Sequence, residues 1–373
     1  MITPIARDDS SILGRWWWTV DRWTLLCICL LTAFGMILTA AASPPVAERI
    51  GLDPLYFVRR QAVLIVPAIA LLISISLLEP RSVRRLSAFV FIGGIVLLVA
   101  TLLIGPEIKG SQRWLKLGGL TMQPSEFVKP AFAVVAAWMF SARRLGEDIP
   151  GYQISGFLYL AVLGLLLAQP DVGQAIVVSA IWFTQWFLAG LSATWVSMIT
   201  LLGVTSMIIA YFVFPHVASR IDRFLDPASG DNYQVDRAME AFMNGGLFGR
   251  GPGEGTAKAY LPDAHSDFIL AVAGEEFGLI ACLILVALFA FIIMRGLFRV
   301  LEDQNLFVVL AAAGLLVQFA LQAIINMAST VNLMPTKGMT LPFISYGGSS
   351  LLALAFGMGM LLALTRRRSG GVE

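Results

Sequence analysis

Charge is scarce in this sequence. Lys and Arg number 26, Asp and Glu 24 and His 2 among 373 residues, so 13% are charged. An ordinary globular domain carries about 25%, and the shortage excludes that class. A net charge of +2 without a basic run leaves no nucleic-acid footprint. Cys27, Cys29 and Cys282 are the only cysteines. All three fall inside apolar segments, where thiols serve as small packing residues rather than disulfides or ligands. His216 and His265 are the only histidines, too few with scattered carboxylates for a zinc site. No nucleotide-binding fingerprint is present, so ATP is not the expected energy source. No cleavable signal is expected either, because Arg15–Arg22 leads into a full-length span without a small-residue cleavage site.

What the chain has in quantity is apolar sequence, 58% of its residues with a mean hydropathy of +0.80. It comes in blocks of about 20 residues, the length that crosses a hydrocarbon core of about 30 Å. Blocks without strict alternation span lipid as helices, not as a barrel. The expectation is one all-α polytopic membrane domain over 1–373. Its ten transmembrane helices fall at about 23–42, 57–78, 87–105, 126–140, 153–168, 172–189, 193–214, 267–294, 306–326 and 343–364. Ser43-Pro44-Pro45 is expected to end the first, and Trp16, Trp17, Trp18 and Trp23 to mark the lipid boundary. Lys/Arg pairs at 84–85 and 143–144 and the triplet 366–368 favour both termini inside. Residues 1–22 and 365–373 are then cytoplasmic tails, and 215–266 is a long extracytoplasmic loop between helices 7 and 8. The connections 106–125, 169–171 and 327–342 lie on that same outer face, so the chemistry is expected outside.

Within those connections, Asp267 closes the polar run Asp263–Asp267 at the mouth of an apolar helix. An ionisable residue there must face water, a partner or a substrate. Pro124-Ser125 reads as a helix start with the Ser125 hydroxyl capping the first amides. Lys129 lies one turn further in, and two readings stand. It snorkels or pairs with Glu126, three residues earlier, or it joins Arg113 in a pocket for phosphate. Asp171, after Pro170, is an N-cap, or it faces the same cavity or a divalent cation. Val235, Ala238, Met239 and Phe242 recur at helical spacing and suggest an amphipathic helix anchored on the membrane surface. The glycines from Gly245 to Gly255 mark a flexible hinge or a close approach to a ligand. Small residues from Gly347 to Ser350 permit tight packing or line a cavity.

Taken together, KGSQRW (109–114), QPSEFVK (123–129), QPDVG (169–173), GGLFGRG (245–251), LPDAHSDFI (261–269), GEEFG (274–278) and LPFISYGGSS (341–350) resemble the SEDS family of shape, elongation, division and sporulation proteins. They run in the family's order, and PTKGMTLPFISYGGSS looks more like its division branch than its elongation branch. The resemblance implies a ten-helix fold with an outer-face cavity and lipid II as substrate of a peptidoglycan polymerase in the bacterial inner membrane, at the division septum. It implies that Asp267 is the catalytic base and that Arg113, Trp114, Ser125, Glu126, Lys129 and Asp171 are polar substrate-binding residues. It also implies a class B penicillin-binding protein as transpeptidase partner, with other division proteins. A divalent cation, Mg or Mn, is the one cofactor considered. Gln174 departs from the small hydroxyl residue often found in the 169–173 turn. The competing expectation is a transporter that flips lipid II, which predicts helices broken at the midplane and inverted repeats.

Overall fold

The computed structural model describes residues 11–107, 111–117, 120–190, 192–214, 217–219, 221–222, 233–335 and 338–367. Lys109, Gly110, His216, Thr336 and Lys337 lie outside them, as do 1–10 and 368–373. Helices in chain order are α1 (Ile12–Thr19), α2 (Arg22–Arg49), α3 (Tyr56–Ser76), α4 (Pro80–Ile104), α5 (Pro124–Arg144) and α6 (Gly151–Ala168). They continue as α7 (Val172–Leu188), α8 (Ala193–Val213), α9 (Tyr233–Gly245), α10 (Ile269–Leu301), α11 (Leu306–Thr330) and α12 (Gly348–Leu364). Strands β1 (Leu115–Leu117) and β2 (Leu120–Met122) form an antiparallel hairpin with Leu115 opposite Met122.

Among the described residues, α2, α3, α4, α6, α10 and α11 are the six helices long and apolar enough to cross a membrane. Several of these turn large apolar side chains outward: Val63, Phe89, Leu103 and Phe157 are all exposed. That is a lipid-facing surface rather than a water-facing one. The centre of the bundle is α5, with α11 and α12 against it. Phe132, Phe140 and Phe319 are fully buried there. Gly357 lets α12 pass α5 closely, because a Cβ there would stand 3.3 Å from Pro130.

The ends are clasped by charge. Asp21 caps α2 and receives Arg295 from the far end of α10 at 2.7 Å. Arg366 reaches Thr19 Oγ1 at 3.1 Å and Leu77 O at 3.1 Å, so α1 and the end of α12 lie at the same end of the bundle.

Four local expectations change. The Pro44-Pro45 pair does not end α2, which continues to Arg49 with both prolines inside. Val46 and Ala47 are buried, and Arg49 Nη2 donates to Ala259 O at 2.6 Å, so packing and a tether hold the last turn after two lost amide donors. Trp16 is not a boundary residue: it is buried, and its indole N–H donates to Ser76 Oγ at 2.8 Å. Ser125 does not cap α5. The helix starts at Pro124 with Gln123 as its N-cap, and the Ser125 hydroxyl is buried without a hydrogen-bond partner. Finally, α9 packs on α10 through part of its stripe: Ala238 is buried with Ala241 and Gly245, Phe242 fits beside Gly274, and Met239 is left exposed.

Candidate active site

The glycine run proves to be a packing device. Helix α10 is broken at Gly278, which has φ 79° and ψ −178°. The break strands backbone groups, and the loop after α9 takes them up. Arg250 N donates to Glu275 O at 2.9 Å and Gly251 N to Glu276 O at 3.0 Å. Leu279 N donates to Gly246 O at 2.9 Å. Backbones this close leave no room for side chains: a Cβ at Gly249 would sit 2.2 Å from Glu276 O. The two glutamates bind the rest of the loop. Glu275 accepts from the amides of Thr256 and Ala257, both at 2.8 Å, and Glu276 pairs with buried Lys258. Sequence reasoning gave these carboxylates no role; their signal was two adjacent acids inside an apolar helix.

This scaffold holds the turn that carries Asp267. The amides of Ser266 and Asp267 donate to Asp263 O at 3.0 and 3.1 Å, winding the chain into α10. Asp263 has φ 55°, a left-handed conformation that Asp tolerates better than most residues. From α11, Asn326 Nδ2 donates to Asp267 O at 2.9 Å and to Met339 O at 2.6 Å. From the segment before α12, Ser345 Oγ donates to Ser266 O at 2.6 Å and the Tyr346 amide to His265 O at 2.9 Å. Asp267 thus sits on a backbone fixed from two sides.

Its side chain is half-buried and lines a cavity of about 1050 Å³. Arg113, Trp114, Glu126, His265, Thr340 and Ser350 also line it. Arg113 and Trp114 come from the stretch before β1, and the hairpin is pinned to α12 by Gln123 N donating to Ser349 Oγ at 3.1 Å. Gly338, with φ 62°, passes over the acid: a Cβ there would stand 3.4 Å from Asp267 Oδ2.

Ser125, Lys129 and Asp171 are not among the residues that line the cavity. Lys129, 1% exposed, donates to both Glu126 oxygens at 3.0 and 3.1 Å and to Gln322 Oε1 at 3.4 Å. Asp171 caps α7 through Gln174 N at 3.4 Å and lies 3.6 Å from Arg113 Nη1. Arg113 Nη2 donates to Pro170 O at 2.8 Å. Gln174, the departure noted above, is put to use: its amide donates to Glu126 Oε1 at 2.6 Å. The six polar residues therefore gather in one place, with Arg113, Trp114 and Glu126 in front and Ser125, Lys129 and Asp171 behind.

Gln322 and Asn326 join that group to Asp267. Four residues apart, they share one face of α11. Gln322 meets Lys129 and gives its amide to Thr340 Oγ1 and Ser350 Oγ, both at 3.2 Å, while Asn326 holds the Asp267 backbone. Their signal was a row of carboxamides at four-residue spacing, Gln318, Gln322 and Asn326, in a largely apolar span. His265 stacks on Phe57 with ring centroids 4.1 Å apart, and burial pushes its imidazole pKa down, keeping the ring neutral. No group of three or more His, Cys, Asp and Glu among the described residues is placed to hold a metal.

Comparison with known proteins bears on the fold and the family. Residues 21–370 match the family model described as "Cell cycle protein", which groups FtsW, RodA and SpoVE. The chain is 45% identical over 366 residues to the probable peptidoglycan glycosyltransferase FtsW of Caulobacter vibrioides, covering 98% of this chain and 94% of that one. It is 36% identical to the protein of the same name from Trichlorobacter lovleyi, covering 92% and 93%. Among solved structures, a chain of a peptidoglycan synthase complex that coordinates polymerization and crosslinking superposes with a TM-score of 0.76 at 26% identity, covering 93% of this chain and 97% of that one. The rod shape determining protein RodA of Thermus thermophilus gives 0.69 at 27% identity, covering 94% and 97%. The family expected from the motifs is the family found: the chain belongs to the FtsW–RodA–SpoVE family of cell cycle proteins.

Proposed function

We propose that this protein is a peptidoglycan glycosyltransferase of the division branch, which polymerises lipid II into β-1,4 glycan strands and releases undecaprenyl pyrophosphate. The observation that carries the reading is one carboxylate, Asp267, on a rigid turn in a cavity that also presents a guanidinium and several hydroxyls. Glycan transfer needs a base for the acceptor and positive charge for the departing pyrophosphate. Asp267 takes the proton from the 4-hydroxyl of the acceptor's GlcNAc as that oxygen attacks C1 of the lipid-linked MurNAc. The C1–O bond to pyrophosphate breaks in the same displacement, so an α-linked donor yields a β-linked product. Arg113 faces the leaving group. Trp114 lines the cavity beside it, and Lys129, Asp171 and Ser125 stand behind, with Lys129 holding Glu126 and Asp171 holding Arg113 in place. The two-carboxylate scheme of glycosidases does not transfer, because pyrophosphate leaves without an acid.

The donors present suit a cation brought with substrate better than one in a protein cage. Mg²⁺ takes one or two carboxylates plus phosphate oxygens, and the substrate's pyrophosphate supplies the latter. When bound, the cation would neutralise charge on the pyrophosphate.

Ten helices span the inner membrane in this reading, α2 to α8 and α10 to α12, within a single domain over 1–373. Residues 1–22 and 365–373 are cytoplasmic, and 215–266 is extracytoplasmic. The contact of Thr19 with Arg366 supports placing both tails on one side. The division septum is the expected site, with other division proteins and a class B penicillin-binding protein as transpeptidase partner. The likeness to a chain of a complex that coordinates polymerization and crosslinking supports that partner.

Transport of lipid II has one observation in its favour, the break at Gly278. Loop backbone fills that break, however, and residues 275–280 are not among those lining the cavity. The deciding experiment is polymerisation of lipid II by protein and partner in detergent, where there are no two sides to flip between. Glycan strands support the enzyme. Their absence, with lipid II scrambling in vesicles, supports transport.

A further inference from the structure

Of the cavity's two described cations, Arg113 is already engaged. Asp171 lies 3.6 Å away and Pro170 O takes a guanidinium proton. The other cation is Arg60, in the first turns of α3, and it has no carboxylate partner among the described residues. It is half-buried and held in place. Nη1 donates to Tyr56 Oη at 2.9 Å, and Tyr346 lines the cavity with it. Guanidinium has five donors in a fixed fork, so the Tyr56 phenol orients it and leaves the rest for a ligand. Its neighbour Phe57 stacks on His265, two residues before Asp267, which ties Arg60 to the Asp267 side of the cavity. A partly desolvated, oriented and uncompensated guanidinium is the arrangement that binds phosphate oxygens.

We propose that Arg60, braced by Tyr56, is a second pyrophosphate site in the cavity, separate from the one at Arg113. The proposal rests on the polymerase reading. That reaction joins two lipid-linked sugars, each carrying its own pyrophosphate, and a cavity with one guanidinium on each side can hold both at once. Arg113 takes one and Arg60 the other.

The test is calorimetric binding of undecaprenyl pyrophosphate to the purified full chain in detergent, with thermal unfolding as the check on folding. The wild type should bind at two sites, and Arg60→Gln and Arg113→Gln should each lose one. Arg60→Lys should keep both sites with the affected one weakened about tenfold, because a compact ammonium replaces the fork. Should Arg60→Gln fold poorly, the Arg60→Lys affinity is read alone. Two intact sites in Arg60→Gln, or undiminished affinity in Arg60→Lys, overturns the proposal. A wild-type single site that Arg113→Gln abolishes also overturns it. Phosphatidylglycerol displacing the ligand as well as pyrophosphate does would make this a general headgroup site and overturn the substrate assignment. No binding at all by the wild type would instead count against the polymerase reading.

Discussion

The Lys129 ammonium lies 3.0 Å from the Glu126 carboxylate, three residues earlier on α5, and both side chains are buried. That pair anchors the wall behind the cavity. Removing one partner leaves the other charge buried and uncompensated, a loss of about 3–5 kcal/mol. Lys129→Met should therefore lower the thermal unfolding midpoint in detergent sharply. The double change Lys129→Met/Glu126→Gln should recover much of it. A Lys129→Met protein as stable as wild type, with weakened lipid II binding, would instead make Lys129 a direct ligand.

The loop docked on broken α10 makes a graded prediction. Gly249→Ala places a methyl against Glu276 O and also strains a φ of 82°. The strain is about 1 kcal/mol and the clash about 1–3 kcal/mol more. Gly253, with φ 86° and open space around its Cβ position, is the control and should lose only the first term. Limited proteolysis at Arg250 should follow the same order, fastest in Gly249→Ala. Equal behaviour of the two would mean that the loop is a hinge after all.

Stability should depend on pH through His265. Burial holds its folded pKa below the ordinary imidazole value of about 6.5. Below about pH 6.5 the unfolded chain therefore binds a proton that the folded chain refuses, and folding stability falls as pH falls. His265→Phe should flatten that slope in unfolding midpoints recorded from pH 7.5 to 5. An unchanged slope would place the titrating group elsewhere.

Topology can be read by chemical labelling in a background without Cys27, Cys29 and Cys282. Cysteines at Lys116 and Gly253, both exposed, should react with an impermeant reagent from outside, and those at Ser82 and Gly146, also exposed, should not. The reverse pattern would place the cavity on the cytoplasmic side.

The helices and the polar cluster were legible in the sequence because span length and buried charge are local signals. Glu126 and Lys129 share a helix face by spacing alone, and Asp267 stands out as an acid at a helix mouth. What escaped was set by tertiary contact. Pro44 and Pro45 read as a terminator, yet the turn beyond them is held by burial of Val46 and Ala47. The glycines of 245–251 read as flexibility, because the strand of backbone they admit belongs to residues almost thirty positions away. Gln322 and Asn326 were hidden in an apolar run whose hydropathy masked its amides. Arg60 drew no notice because a cation at the start of a span is common; only the cavity separates it from Arg59, which pairs with Asp53 at 3.7 Å.

The proposed transfer depends above all on Asp267 as its base. Asp267→Asn is nearly isosteric and keeps the backbone bonds from Asn326 and Ser345. It should fold, and it should bind lipid II and the transpeptidase partner. Its polymerisation rate in detergent should fall about 10²- to 10⁴-fold, the usual size of a general-base contribution. Asp263→Asn is the control, since Asn also tolerates the left-handed backbone there, and should keep most activity. Raised Mg²⁺ should not restore Asp267→Asn. Near-normal polymerisation by Asp267→Asn would contradict the account and move the base elsewhere in the cavity, with Glu126 the next carboxylate facing it.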